Sequence, residues 1–201
     1  MKGLMVDVDG VLVCGRPSDG QSWASALPED LGISLEDLQC EFFRPHWSEI
    51  VIGQAELPDR LEPVLARIAP HLSCDEFIGY WFENDARLNI ELLEELDRQR
   101  SAGMPVWLAT NQEHLRAAYL MDVLALAGRC DGICYSAAMG CRKPEAAFFE
   151  KAAARSGLPA EHLLLIDDTS ANVVAAQAAG WYAAEWREGS SLAAVLAAFE
   201  A

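Results

Sequence analysis

The 201-residue sequence is poor in positive charge, with 15 Lys and Arg against 31 Asp and Glu and a formal net charge of −16. That balance argues against nucleic acid or an anionic bilayer as a general partner, and an anionic substrate would need local positive charge from a metal or a few placed Lys and Arg. A long hydrophobic run is also missing. Thr169 to Ala184 carries no charge, but Ser, Asn, Gln and Gly interrupt it, and it falls short of the roughly 20 apolar residues a spanning helix needs. Near the N-terminus, Leu4-Met5-Val6 meets Asp7 at once, too soon for the roughly 7–15-residue apolar region of a secretory signal. A cytoplasmic protein is therefore expected. No Cys-x-x-Cys pair occurs among Cys14, Cys40, Cys74, Cys130, Cys134 and Cys141, and a chain of this length does not need disulfides, so reduced structural thiols are expected. His71, His114 and His162 lack metal-ligand spacing, which leaves no zinc site to propose.

Apolar residues make up 52% of the chain and charged residues 23%, a composition that can bury a core. The length fits one main domain plus an insertion. Leu4-Met5-Val6, Val106-Trp107-Leu108-Ala109 and Leu163-Leu164-Leu165-Ile166 are short apolar runs that each stop at polar residues, as strands buried on both faces do. Gly132 to Tyr135 predicts a further strand. Helical periodicity spans 90–101, 114–127, 144–156, 171–179 and 192–199, with Pro144 placed for a first turn and Gly103, Gly128, Gly157 and Gly180 placed beyond helix ends. This alternation predicts an α/β fold, a Rossmann-like parallel sheet flanked by helices. Residues 15–85 depart from it: they hold Pro17, Pro28, Pro45, Pro58, Pro63 and Pro70 and no strand-like run. They predict a helical insertion, leaving 1–14 and 86–201 as the core domain.

Ligands of open parallel sheets sit outside the carboxyl ends of the strands. Asp7, Asp9, Thr110, Asn111, Asp167 and Asp168 are expected to meet there. Any one of these aspartates could be a simple turn or cap residue. Together they repel one another, and a hard divalent cation with oxygen ligands relieves that repulsion; Mg²⁺ takes one or two carboxylates plus a substrate phosphate.

These residues resemble the haloacid dehalogenase-like (HAD-like) hydrolase superfamily, whose members are mostly phosphatases. Asp7-Val8-Asp9-Gly10-Val11 is similar to its first motif, Thr110 to its second, Lys143-Pro144 to its third, and Ile166-Asp167-Asp168-Thr169 with Asn172 to its fourth. Order and spacing match from residue 3 to about 185. The resemblance implies that Asp7 is a nucleophile forming an aspartyl phosphate and that Asp9 is the acid and base, its backbone carbonyl on the metal. It implies that Thr110 and the Asn111 backbone N–H bind phosphoryl oxygens, that Lys143 offsets their charge, and that Asp7 and Asp168 hold Mg²⁺. Asp167 and Asn172 would support the metal from behind.

An acid at position 9 points to phosphate rather than halide chemistry, because a halide leaves without a proton. No His follows Cys14 in 14–20, which favours hydrolysis over phosphomutase chemistry. The alternatives kept open are a phosphomutase and a non-catalytic or weakly active phosphate- and metal-binding protein. Trp81 to Glu91 and Ala109-Thr110-Asn111-Gln112 look most like the branch of small sugar-phosphate phosphatases and epoxide hydrolase N-terminal domains. The insertion would be a helical cap whose Arg16, Arg44, His46, Trp47 and Arg60 either touch substrate or pack, packing being the stronger reading, while Trp23 and Trp81 anchor its core. A small phosphorylated metabolite is the expected partner, and the chain is expected to be a monomer or a homodimer.

Overall fold

A computed structural model describes residues 1–200. At its centre β1 (Gly3–Val6), β2 (Val106–Thr110), β3 (Gly132–Tyr135), β4 (Leu163–Asp167) and β5 (Tyr182–Glu185) form a five-stranded parallel sheet in the order β3-β2-β1-β4-β5. The chain builds β2 and β3 on one side of β1 and then crosses to build β4 and β5 on the other. Strand order therefore reverses beside β1, the kind of position where parallel α/β sheets open a crevice.

Between β1 and β2 come α1 (Leu27–Leu31), α2 (Leu35–Leu38), α3 (Arg44–Ile50), α4 (Leu57–Ile68), α5 (Cys74–Asn84) and α6 (Ile90–Ser101), with a wide π-helical turn, Gln39–Phe43, joining α2 to α3. After β2 follow α7 (His114–Ala118), α8 (Ser136–Met139), α9 (Ala146–Ser156), α10 (Ser170–Ala178) and α11 (Leu192–Glu200). No helix among the described residues is long and apolar enough to cross a membrane.

Each residue of β1 and β4 is buried, because successive side chains point to opposite faces and helices cover both. Leu4, Val6, Leu108, Leu164 and Ile166 pack with Leu92, Leu96 and Leu192 on one face. Met5, Ala109, Leu163 and Leu165 pack with Phe148, Phe149 and Trp181 on the other. The inserted helices carry a separate apolar cluster that includes Leu27, Leu38, Phe42, Leu61, Phe77 and Trp81. Trp23 stacks on Trp81 with ring centroids 5.1 Å apart. The start of α5 has a reciprocal cap, Ser73 accepting from the Glu76 amide while the Glu76 side chain accepts from Ser73.

The insertion leaves and re-enters the core at one place. The Cys14 N–H donates to the Arg87 carbonyl at 2.9 Å, and the Arg87 N–H donates to the Gly15 carbonyl at 3.0 Å. Leu12 and Val13 donate to the Val8 carbonyl, each at 2.8 Å, so a tight turn separates β1 from this crossing.

Local structure differs from the sequence reading in three places. β5 has no apolar run, and pairing of Tyr182–Glu185 with Leu164–Asp167 defines it instead. The helix expected over 114–127 ends early: α7 opens into a π-helical turn, Tyr119–Val123, and Ala125 turns left-handed at φ 57° before a short turn at Leu126–Gly128. Pro144 lies ahead of its helix rather than in the first turn, because α9 begins at Ala146 behind Glu145.

Candidate active site

Three neighbouring strands end in polar residues at the same edge of the sheet. Thr110 closes β2, Asp167 closes β4, and Asp7 follows β1 with its N–H on the Ile166 carbonyl at 2.9 Å. Lys143 reaches them from the loop before α9. Its Nζ donates to the Ala109 carbonyl at 2.7 Å and to Asp167 Oδ2 at 2.5 Å, and lies 3.0 Å from Asp7 Oδ1. Asn111 fixes the lysine's backbone: its Nδ2 donates to the Lys143 carbonyl at 3.0 Å and its Oδ1 accepts the Lys143 N–H at 2.9 Å. Asp7, Lys143 and Asp167 are 7%, 3% and 0% exposed, and charges that deep require partners.

The two aspartates of the fourth motif have different surroundings. Asp167 is saturated by protein donors, since its Oδ1 also accepts from the Thr169 N–H and from Asn172 Nδ2, each at 2.9 Å. Asp168 is exposed and accepts from Thr169 Oγ1 at 3.2 Å. One carboxylate oxygen from each of Asp7, Asp167 and Asp168 lies within 4.8 Å of the others. Gly10 makes this approach possible: it sits at φ +77°, and a Cβ there would stand 2.1 Å from Asp168 Oδ2.

Here three carboxylates face one ammonium. Burial, with Asp167 and Asp9 adding, raises the Asp7 carboxyl to about 7 against the pull of Lys143. Burial would favour a neutral amine at Lys143, but Asp7 and Asp167 prevail and raise its pKa. Partial burial likewise raises Asp168. The cluster is short of positive charge and its donors are all oxygens, the donor set a hard divalent cation such as Mg²⁺ takes. The residues present fit that ion.

Asp9 lies close enough to this cluster to act on the Asp7 carboxyl, but its side chain has a partner of its own. Its Oδ2 accepts from Gln112 Nε2 at 2.7 Å. Asp9 is exposed to solvent, yet the protein packed around its carboxyl strips enough water from it to raise its pKa, opposed by the Arg116 charge and the Gln112 hydrogen bond. Arg116 is itself 2% exposed. Its guanidinium donates to the Phe82 carbonyl at 3.2 Å and to the Asp85 carbonyl, and lies 3.4 Å from the Asp85 carboxylate. It also sits over the Phe82 and Tyr119 rings, 5.2 and 5.4 Å from their centroids. A buried arginine of the core thus grips the end of α5.

The remaining candidates fall as follows. Thr110 is buried at the end of β2, and Asn172 touches Asp167. The Asn111 side chain is spent on Lys143. In the insertion, Arg16 pairs with Asp19 and Arg60 with Glu49, and the Arg44 side chain meets Cys40. His46 lies beside Phe42, and Trp47 packs against Phe43 and Trp81. Arg142 is half-buried and 3.8 Å from Glu145. Sequence reading gave no role to Gln112 or Arg116. Gln112 shares the polar turn after β2, which is a usable signal; Arg116 reads as an ordinary helix-surface charge.

The carboxyl ends of the central strands of this parallel α/β sheet thus carry an acidic cluster with one lysine buried against it. Residues 1–180 match the haloacid dehalogenase-like hydrolase family, and the chain belongs to it. It is 28% identical over 185 residues to the sesquiterpene phosphatase AstK of Aspergillus oryzae, covering 89% of this chain and 86% of that one. An HAD family enzyme of Bacteroides thetaiotaomicron superposes with a TM-score of 0.83 at 16% identity, over 98% of each chain. Its complex with magnesium and inorganic phosphate gives 0.79 at 16% identity, over 97% of this chain and 98% of that one. A predicted HAD-like hydrolase of Porphyromonas gingivalis gives 0.79 at 19% identity, over 100% of this chain and 98% of that one. At these identities the structures share the fold.

Proposed function

We propose that this hydrolase is a magnesium-dependent phosphatase that cleaves a small phosphomonoester through an aspartyl phosphate on Asp7. One observation carries the reading: two aspartates two residues apart are held in opposite ways, Asp7 against Lys143 at 3.0 Å and Asp9 against a neutral amide at 2.7 Å. Carboxyls whose surroundings differ take different parts in acid–base chemistry. Asp7 would attack phosphorus in line while Asp9 gives its proton to the leaving oxygen; Asp9 would then take a proton from the water that releases phosphate from Asp7. Lys143 would hold Asp7 and the phosphoryl charge, and the Thr110 hydroxyl and Asn111 N–H would orient the phosphoryl oxygens. Asp7, the Asp9 carbonyl and Asp168 would hold Mg²⁺, with Asp167 and Asn172 behind them. The ion supplies charge neutralisation of the phosphoryl group when bound. Residues 15–85 would act as the cap over this crevice. The phosphatase relative from Aspergillus oryzae supports the reaction class.

The test is phosphate release from a panel of sugar, nucleotide, aryl and prenyl phosphates, with Mg²⁺ and then with chelator. The prenyl and aryl esters belong in it because of that relative's name and because Trp23, Phe43 and Trp47 are only half-buried. Turnover is expected to vanish on chelation, and to fall by at least about 10⁴-fold in Asp7→Asn. Silence across the panel in a folded, Mg²⁺-binding protein would overturn the reading.

A further inference from the structure

We propose that Gln112 is the positioning residue for Asp9 and that it commits one oxygen of that carboxyl to proton transfer; the inference rests on the phosphatase reading above. Gln112 is 4% exposed, and its Nε2 lies 2.7 Å from Asp9 Oδ2. An amide nitrogen donates and never accepts. With the amide turned this way, Oδ2 is held as an acceptor whether Asp9 is ionised or protonated, which leaves the proton to Oδ1. In the first half-reaction the Oδ1–H bond breaks as the proton passes to the ester oxygen, while the bond from that oxygen to phosphorus breaks and the bond from Asp7 to phosphorus forms. In the second, Oδ1 recovers a proton from water as the water oxygen bonds to phosphorus and the bond to Asp7 breaks. A carboxyl free to rotate would present the wrong oxygen for part of the time.

The Gln112 backbone is itself well anchored. The Ala137 N–H donates to the Gln112 carbonyl at 3.1 Å, and the Ser136 hydroxyl lies 3.2 Å from the same oxygen while donating to the Val51 carbonyl of the inserted helices at 2.5 Å. Gly53 packs on the Ala137 carbonyl, where a Cβ would come within 2.4 Å. One short stretch of core backbone thus carries both the seat of the insertion and the residue that aims Asp9. No other side chain donates to Asp9 among the described residues.

Leaving-group dependence separates aiming a proton from merely supporting the fold. In this two-step scheme kcat/KM reports transfer to Asp7, the step in which Asp9 acts as acid. It would be measured for p-nitrophenyl phosphate, whose leaving oxygen needs no proton, and for phenyl and simple alkyl phosphates, whose leaving oxygens increasingly do. Gln112→Met keeps the shape and removes the donor; Gln112→Glu keeps the shape and puts an acceptor in its place. Both are expected to lose about 10²-fold on the alkyl ester and less than about threefold on the nitrophenyl ester, within the range of one acid catalyst. Gln112→Met on an Asp9→Ala background is expected to change nothing further, because the two residues act through one proton. Equal losses on every ester, a loss confined to KM, or multiplicative losses in the double variant would overturn the proposal. If one variant fails to fold, as read by its thermal midpoint, the other decides. A wild-type enzyme active on these esters with a flat Gln112 response defeats this inference alone, whereas a wild-type enzyme silent on them and on the whole panel above defeats the phosphatase reading and this inference with it.

Discussion

The carboxyl edge of the sheet and the inserted helices are built on opposite terms. At the edge, buried charges hold one another: Lys143 spans Asp7 and Asp167, and Asn111 clamps the lysine's backbone from both sides. The insertion is held by aromatic packing around Trp81 and by an internal apolar cluster. It meets the edge through single polar contacts, chiefly Arg116 on the Phe82 and Asp85 carbonyls and Ser136 on the Val51 carbonyl. The edge is arranged before any substrate arrives, which is what electrostatic catalysis needs. The insertion is cohesive in itself, and beside these polar contacts it packs on the core where Phe82 meets Tyr119.

Removing the central cation should break this contrast most severely. Lys143→Met leaves two buried carboxylates unpaired and is expected to cost about 3–5 kcal/mol in metal-free protein, read by urea unfolding, with Mg²⁺ restoring part of it. A loss under about 1 kcal/mol would mean that the edge is not held by charge. Arg116→Met tests the tie between the regions. It orphans two carbonyls and should cost about 2–3 kcal/mol, with faster hydrogen exchange over 82–87 and unchanged exchange in β1 and β4; uniform acceleration would show one cooperative unit instead. Gly10→Ala pushes on Asp168 and also strains the turn at φ +77°. The fold should survive while Mg²⁺ affinity falls about 10–100-fold by calorimetry, and an unchanged affinity would remove Asp168 from the metal site.

The smallest effect lies in the exposed turn at the start of the insertion. The Arg16 side chain, by hydrogen bonding, holds the exposed Asp19 carboxyl down to about 2, below its ordinary 3.8. A depressed carboxyl favours the fold above its ordinary pKa and loses that contribution as pH falls through the folded value. The thermal midpoints of wild type and Asp19→Asn should therefore differ slightly at about pH 6 and approach one another toward about pH 3, the direction the depressed value dictates. A difference that grows on acidification would reverse the assignment.

The sequence revealed most where a short stretch carries its own explanation. Leu163 to Ile166 followed by Asp167-Asp168 contains both the buried strand and the polar residues at its end, so strand and candidate site are legible together. β5 was not, because Tyr182-Ala183-Ala184-Glu185 takes its identity from the neighbouring β4. The end of α7 was hidden for a similar reason: Tyr119 packs on Phe82, 37 positions earlier in the sequence, at 5.4 Å. Gln112 and Arg116 matter through partners far away in the chain, Asp9 and Asp85. No window of sequence shows that a glutamine will meet a given aspartate, or that an arginine flanked by Leu115 and Ala117 will be buried.

Cys14 and Arg87 stand side by side where the chain departs from the core and comes back. An inserted module whose two ends share one doorway can be lengthened, shortened or exchanged without disturbing strand order or register. The inserted helices can therefore change while the strands, and the polar residues at their carboxyl ends, stay as they are.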